Sequence, residues 1–377
     1  MKIGILTFHN AHNYGAVLQA YALRTKLRTM GFDTYIINYR NQKIENSYKE
    51  KLQVPREKFS LYHPRMMLIN LKITIKRYLD VRCAQPYWKH RVFAFERFIN
   101  EVLLEGNCKN ISKESLKNLE IDVFICGSDQ IWTSYLTGGL DEVYFLDFET
   151  RAKKVVYGAS RFGIEFSGDE ENFFESKLMN LYAISVREKS LAEKLSNICG
   201  RHIETVLDPT LLLTKEDYFC IEEKINITED YVLAYFLVED EMLMKCAEKV
   251  AELLRIKLIE IHYYKQRYKK DIQKKRKQIA DCSPGQFLAY IKNARYVLTN
   301  SFHGVVFSVI YHKKFYAVYN EDNRKDDLLN QLQLQERHVF AETKIDISSD
   351  IDYFSSDKKL YEMRKKSILF LKNALQI

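Results

Sequence analysis

Two side chains in this sequence are well suited to handling a small anion: a histidine at the mouth of a helix and an arginine at the end of a strand. His303 falls in Tyr296-Val297-Leu298-Thr299-Asn300-Ser301-Phe302-His303-Gly304, which runs on into Val305-Val306-Phe307-Ser308-Val309-Ile310. An apolar run, a polar turn and a second apolar run predict a buried strand, a tight turn and a helix. The first N–H groups of such a helix lack intrahelical partners, and its dipole adds partial positive charge, so Ser301, Phe302 and Gly304 form an anion-friendly turn. A histidine beside a bound anion can deliver a proton near neutral pH; a satisfied strand-end histidine fits the same pattern. Arg187, in Ser185-Val186-Arg187-Glu188, ends another apolar run. Its planar fork can hold a carboxylate or phosphate through two hydrogen bonds, or serve in a salt bridge to Glu188 or another acid.

Three further polar turns follow apolar runs. Asn10 to Gly15 places His12, Asn13 and Gly15 just before a helix. Glycine admits close backbone approach, and asparagine can orient a hydroxyl. His9 and His12 are read either as chemistry-bearing groups or as solvated loop residues. The Gly-x-Gly-x-x-Gly fingerprint of dinucleotide binding is absent. Cys126-Gly127-Ser128-Asp129-Gln130-Ile131-Trp132 combines a sharp turn with a hydrogen-bonding cluster. Asp129 can act as base toward a sugar hydroxyl. Trp132 can stack on a sugar ring, or it can belong to the core behind a helix cap. Tyr157 to Gly163 is a small-residue turn suited to the floor of a cleft.

The elements that must position these turns alternate. A strand over Lys2–Thr7, a helix over Ala16–Met30 and a strand over Thr34–Asn38 open the chain as a βαβ unit, which implies parallel pairing and a right-handed crossover. Residues 41–118 are rich in Lys, Arg, Glu, Phe and Tyr and read as a mostly helical insertion. Strand-like runs recur at Val123–Cys126, Lys154–Tyr157, Ala183–Val186 and Thr205–Val206, then at Tyr231–Val238, Lys257–His262, Tyr296–Thr299 and Phe315–Val318. Helical patterns lie between them, and an amphipathic helix closes the chain over Lys358–Leu375. This predicts an α/β protein of two Rossmann-like, doubly wound domains facing a cleft. The first domain spans 1–206 and the second 207–377, with the boundary near Val206-Leu207-Asp208-Pro209. In open α/β sheets ligands bind beyond the carboxyl ends of strands, where all five turns fall.

Composition agrees. The chain has 377 residues, enough for two cores, with 25 Tyr and 22 Phe to fill them and only 13 Gly and 5 Pro to argue for disorder. Neither a leader sequence nor a membrane-spanning run is read, so a cytoplasmic protein is expected. The seven cysteines form no Cys-x-x-Cys pair, so neither a zinc site nor a disulfide framework is expected. The net charge is +8, and Lys265 to Lys277 holds eight basic residues. A solvated helix or loop face is the plainer reading of that stretch; contact with an anionic membrane surface is the other. No base-stacking or zinc-finger pattern points to nucleic acid.

Taken together, Asn13-Tyr14-Gly15-Ala16-Val17-Leu18-Gln19-Ala20, Gly127-Ser128-Asp129-Gln130-Ile131-Trp132, Ser185-Val186-Arg187-Glu188, Asp208-Pro209-Thr210 and Ser301-Phe302-His303-Gly304 resemble, in order, the polysaccharide pyruvyl transferase family. The resemblance implies a fold similar to the GT-B glycosyltransferases, with phosphoenolpyruvate as donor (a co-substrate, with no separate cofactor or metal). The acceptor it implies is a sugar diol of a capsule, exopolysaccharide or other cell-surface glycan precursor, free or lipid-linked. It makes His303 the counterpart of the family's catalytic histidine and Arg187 that of a donor-gripping arginine. Ser301, Phe302, Gly304 and Arg324 would then complete the donor site, and His12, Asn13, Gly15, Ser128, Asp129, Gln130 and Trp132 the acceptor site. Family members commonly carry arginine where Ser301 stands, so Arg324, Lys325 and Arg161 become candidates for a second cation. A nucleotide-sugar glycosyltransferase and a non-enzymatic glycan-assembly protein are the alternatives.

Overall fold

The computed structural model describes residues 1–49, 64–238, 240–262, 276–318, 323–340 and 345–376. The first part of the chain runs β1 (Lys2–Leu6), α1 (Tyr14–Thr29), β2 (Asp33–Ile36), α2 (Gln42–Lys49), α3 (Pro64–Arg97), α4 (Lys113–Leu116), β3 (Val123–Cys126), α5 (Ser134–Thr137), β4 (Lys153–Ala159), α6 (Gly168–Leu178), β5 (Ala183–Val186), α7 (Lys189–Cys199) and β6 (Glu204–Thr205). The second runs β7 (Tyr231–Phe236), α8 (Glu241–Leu254), β8 (Lys257–His262), β9 (Arg276–Ile279), α9 (Pro284–Asn293), β10 (Tyr296–Thr299), α10 (Phe302–Ile310), β11 (Lys314–Val318), α11 (Asn323–Gln331), β12 (His338–Val339) and α12 (Tyr353–Leu375).

Among the described residues the strands form two six-stranded sheets, ordered β2-β1-β3-β4-β5-β6 and β12-β11-β10-β7-β8-β9. Every pairing is parallel. Parallel strands covered on both faces need near-continuous apolar runs. β3, β7 and β10 meet that demand, with every residue buried. The α/β class and the paired Rossmann-like architecture read from the sequence are therefore what the chain forms.

One element departs from the reading. The end of the basic stretch is not a helix or loop face: Arg276–Ile279 pairs with β8 as an edge strand. Its cause is long-range, since Arg276 forms an ion pair with Glu260, a carboxylate buried in β8. The rest of that stretch, from Lys265, lies outside the described residues, as does the part of the helical insertion over 50–63. The insertion otherwise forms α2, the 34-residue α3 and a π-helical turn over Phe98–Leu103. No helix among the described residues is long and apolar enough to cross a membrane.

The two sheets are locked together at α1. Tyr14 lies flat on Phe287 of α9, with ring centroids 4.3 Å apart, and its hydroxyl donates to the Cys282 carbonyl at 2.9 Å. Arg91 of α3 donates to the same hydroxyl at 2.5 Å and stacks over the ring at 4.7 Å. α12 returns from the second sheet to the first. Ser367 accepts from the Leu207 N–H at 2.9 Å, and Lys153 of β4 donates to the Ala374 carbonyl at 3.3 Å. These contacts bring the carboxyl ends of β4, β5 and β6 against the start of α10.

Candidate active site

Asp208 is the hinge of the site. It caps a one-turn helix over Pro209–Leu212, where proline at the first position leaves the chain entering at a fixed angle. One carboxylate oxygen, Oδ1, accepts from the Thr210 N–H at 2.9 Å and from its hydroxyl at 2.5 Å. The other, Oδ2, accepts from Arg187 Nη1 at 2.5 Å and lies 3.5 Å from His303 Nε2. Arg187 follows β5 and His303 sits in the first turn of α10, so one buried oxygen joins the two sheets. Burial pushes the Asp208 carboxyl up, but His303, Arg187 and the Thr210 hydroxyl outweigh it and hold it well below the usual carboxylate range.

His303 is buried, not set in an exposed turn. Its ring rests on the α-carbon of Gly15: a β-carbon there would stand 2.0 Å from His303 Nδ1. Gly15 is thus required for close approach of the two domains, and any larger residue would displace the imidazole. Asn13 prepares that surface by capping α1, its Oδ1 accepting from the Gly15 N–H at 2.8 Å. Two guanidinium groups, those of Arg187 and Arg324, each stand 5.4 Å from the Phe302 ring centre. Such stacking holds cations in place while leaving their edges for an anion.

A narrow pocket opens here, lined by Arg187, Glu188, Asp208, Phe302, Arg324 and Asp327 among others. Several buried polar atoms around it have no hydrogen-bond partner: Arg187 Nε and Nη2, Glu188 Oε2 and His303 Nε2. Leaving such atoms unpaired costs about 1–3 kcal/mol each. Those of Arg187 and Glu188 belong to residues that line the pocket, where a polar ligand would complete their bonding. Arg187 Nη2 is 3.7 Å from Asp129 Oδ1, so the β3 turn also reaches the site.

Other expected residues have different places. Trp132 does not face the cleft: it is fully buried against Phe145 and Phe174, and its N–H donates to the Tyr144 carbonyl at 3.1 Å. Ser128 is equally buried, and its hydroxyl donates to the Gly158 carbonyl at 2.6 Å, which ties the ends of β3 and β4 together. His9 and His12 are not solvated. His9 bonds Asn38 and Thr7, and burial lowers its pKa against those hydrogen bonds; His12 bonds Glu96 at 3.0 Å. Asp129 and Gln130 are half-buried. Ser301 caps α10, its hydroxyl accepting from the Gly304 N–H at 3.4 Å, so that N–H is directed at the cap. Gly304 itself is required because a β-carbon would meet Thr299 at 2.3 Å. Of the candidate second cations, Arg324 lines the pocket. Lys325 donates to the Asn300 and Val318 carbonyls, fastening α11 to two strands. Arg161 pairs with Glu170 through two bonds of 3.0 and 3.1 Å.

Asp208 and Glu188 are the site residues that pattern reading left without a role. Asp-Pro-Thr announces a cap, which explains Oδ1; nothing local announces that Oδ2 collects partners from Arg187 and His303.

The sequence profile of the polysaccharide pyruvyl transferase family matches residues 13–323. The chain belongs to that family. Arg187, Asp208, Phe302 and His303 lie within the matched span, and Arg324 lies just beyond it. Among solved structures, UDP-GlcNAc 2-epimerase from Methanocaldococcus jannaschii is 14% identical, over 97% of this chain and 93% of that one, with a TM-score of 0.52. S. aureus MnaA bound to UDP is 10% identical over 97% and 87%, with a TM-score of 0.49. Escherichia coli heptosyltransferase WaaC with ADP is 12% identical over 86% and 89%, with a TM-score of 0.38. At such identities the epimerase likeness shows the two-domain fold alone. No curated protein matches the chain. Family membership makes this pyruvyl transferase relative a transferase of polysaccharide synthesis.

Proposed function

We propose that the chain transfers the pyruvyl skeleton of phosphoenolpyruvate to two hydroxyls of one sugar in a cell-surface polysaccharide precursor, forming a pyruvate ketal and releasing phosphate. The observation that carries this reading is the pair of buried Arg187 atoms without a hydrogen bond, Nε and Nη2, at a narrow pocket that Arg187 lines, with His303 joined to the same site through Asp208. A guanidinium edge suits the donor's carboxylate or phosphate, and Arg324, which lines the same pocket, adds a second positive charge near Phe302. His303, oriented by Asp208, protonates the methylene carbon; C2 then becomes oxocarbenium-like and open to a hydroxyl. Asp208 stabilises the imidazolium before transfer and keeps the ring aimed after it.

On this reading Asp129 and Gln130, half-buried at the end of β3, face the acceptor. The enzyme needs no cofactor beyond the donor itself. It works in the cytoplasm, in peripheral contact with anionic membrane. That contact is supported by α12, which exposes Lys358, Lys365, Lys366 and Lys372 beside Phe354 and Tyr361.

The test is a paired measurement. Phosphoenolpyruvate should raise the melting temperature and nucleotide sugars should not, because only a ligand of the native state stabilises it. Incubation with phosphoenolpyruvate and a panel of sugar acceptors should release phosphate and give a ketal methyl signal by NMR. Stabilisation by nucleotide sugars alone would replace this reading with glycosyl transfer.

A further inference from the structure

We infer that Glu188 is the second acid–base group of the site, taking the proton of the attacking sugar hydroxyl and handing it to the departing phosphate. The inference rests on the ketal-forming reading above and adds to it a residue and two proton transfers.

The two carboxylates at the pocket are not equivalent. Both oxygens of Asp208 are engaged: Oδ1 accepts from Thr210 and Oδ2 from Arg187, with His303 Nε2 3.5 Å from Oδ2. A carboxylate so paired is a poor base. Glu188 is as well buried, but only Oε1 is engaged, accepting from the Ser160 hydroxyl at 2.6 Å. Arg187 Nε is 4.0 Å from that same oxygen. Oε2 has no partner. Glu188 stands as the cap residue of α7 yet makes no side-chain capping bond, so the helix start does not account for its side chain. It lines the pocket beside Arg187, Phe302 and Arg324. Ser160 holds one oxygen and leaves the other without a bond, on a residue that lines the pocket together with Arg187. Burial raises the Glu188 pKa, against the pull of Arg187, the Ser160 hydroxyl and Arg324, which brings the group closer to the range where it can both accept and return a proton.

The steps balance. His303, protonated, gives its proton to the methylene carbon of phosphoenolpyruvate. The first sugar hydroxyl forms a C–O bond to C2 and gives its proton to Glu188 Oε2. The C2–O bond to phosphate then breaks, the electron pair leaving with the phosphate, which takes the proton from Glu188. The second hydroxyl forms the second C–O bond to C2 and its proton goes to His303. Both residues return to their starting states.

The experiment compares wild type, Glu188→Gln and Ser160→Ala in phosphate release and ketal formation across pH, with the melting shift given by phosphoenolpyruvate as the check on folding and donor binding. Glu188→Gln should keep the melting shift and the KM for phosphoenolpyruvate within about threefold while kcat falls roughly 10²-fold or more. The acid limb of kcat/KM should vanish in that variant. Ser160→Ala should keep activity at high pH but move the acid limb upward, since it removes a bond to the charged form. A purely structural Glu188 predicts none of these pH changes. Wild-type kcat in Glu188→Gln, or an acid limb unmoved in both variants, would overturn the role while leaving ketal formation intact. A wild-type enzyme that forms no ketal from phosphoenolpyruvate would overturn the functional reading and this role with it.

Discussion

Two clusters of buried histidines with arginine and glutamate partners stand at strand ends in this fold, and they differ in how completely they are bonded. At the end of β1, His9 uses both ring nitrogens, His12 bonds Glu96, and Arg40 bonds Asn38 and Glu45. Among the described residues there, the Asn10 amide is what lacks a partner. At the ends of β5, β6 and β10, Arg187, Glu188 and His303 each keep buried polar atoms unpaired. Residue types alone do not separate the clusters: both offer histidine, arginine and glutamate at strand ends. Completed hydrogen bonding marks architecture, whereas uncompleted bonding at a pocket marks chemistry.

The contrast is most exposed to a pair of histidine substitutions. His303→Gln should cut ketal formation roughly 10³-fold, within the range that a general acid supplies. His9→Gln should leave kcat within about threefold and instead lower stability by about 1–3 kcal/mol, the cost of unsatisfied buried groups. Equal kinetic losses from both would erase the distinction. Next in size is Arg187→Lys. A lysine preserves charge but not the fork, so kcat/KM for phosphoenolpyruvate should fall roughly 10²-fold, as expected for loss of charge-assisted bonds worth about 1.5–3 kcal/mol. Unchanged donor affinity by titration would remove Arg187 from the donor site.

A smaller effect is expected at a residue that touches no substrate. In Gly15→Ala the new methyl must push the His303 ring, since its place lies 2.0 Å from Nδ1. Overpacking of this kind costs about 1–3 kcal/mol. Turnover should fall roughly tenfold through loss of the imidazole's aim, with KM for the donor little altered. A rise in KM for the donor with kcat preserved would show that Gly15 serves the donor directly.

How much of this was legible differs between the fold and the site. The apolar runs that became β3, β5, β8 and β10 ended where the sequence placed them, because buried parallel strands impose a continuous pattern that polar turns interrupt. β9 escaped notice because Arg-Lys-Gln-Ile carries no such pattern; its pairing depends on Glu260 across the sheet. At the site, single residues at strand ends could be named but not assigned. Trp132 and Asp129 lie three residues apart in one turn, yet one belongs to the aromatic core and the other to the cleft edge. Asp208 meets Arg187 and His303 only through long-range packing, and local spacing carries no trace of that.

The gentlest way to separate the clusters is through stability and pH, where they should respond with opposite signs. Burial raises the Glu188 pKa and lowers that of His9. Below the unfolded glutamate value, folded and unfolded states both hold the Glu188 proton. As pH rises past that value toward the raised folded one, the unfolded chain sheds a proton that the native state retains, and stability falls. His9 acts the other way: as pH drops through the unfolded histidine value, the unfolded chain takes up a proton that buried His9 resists, and stability falls on the acid side. Glu188→Gln should therefore gain on wild type as pH rises above about 4, the ordinary glutamate value. His9→Gln should close its deficit as pH falls from about 7 to 5. Melting curves of both variants against wild type over that range read both slopes. If the two slopes shared a sign, the unpaired oxygen of Glu188 would be no more strained than the satisfied ring of His9, and bonding completeness would no longer distinguish site from scaffold.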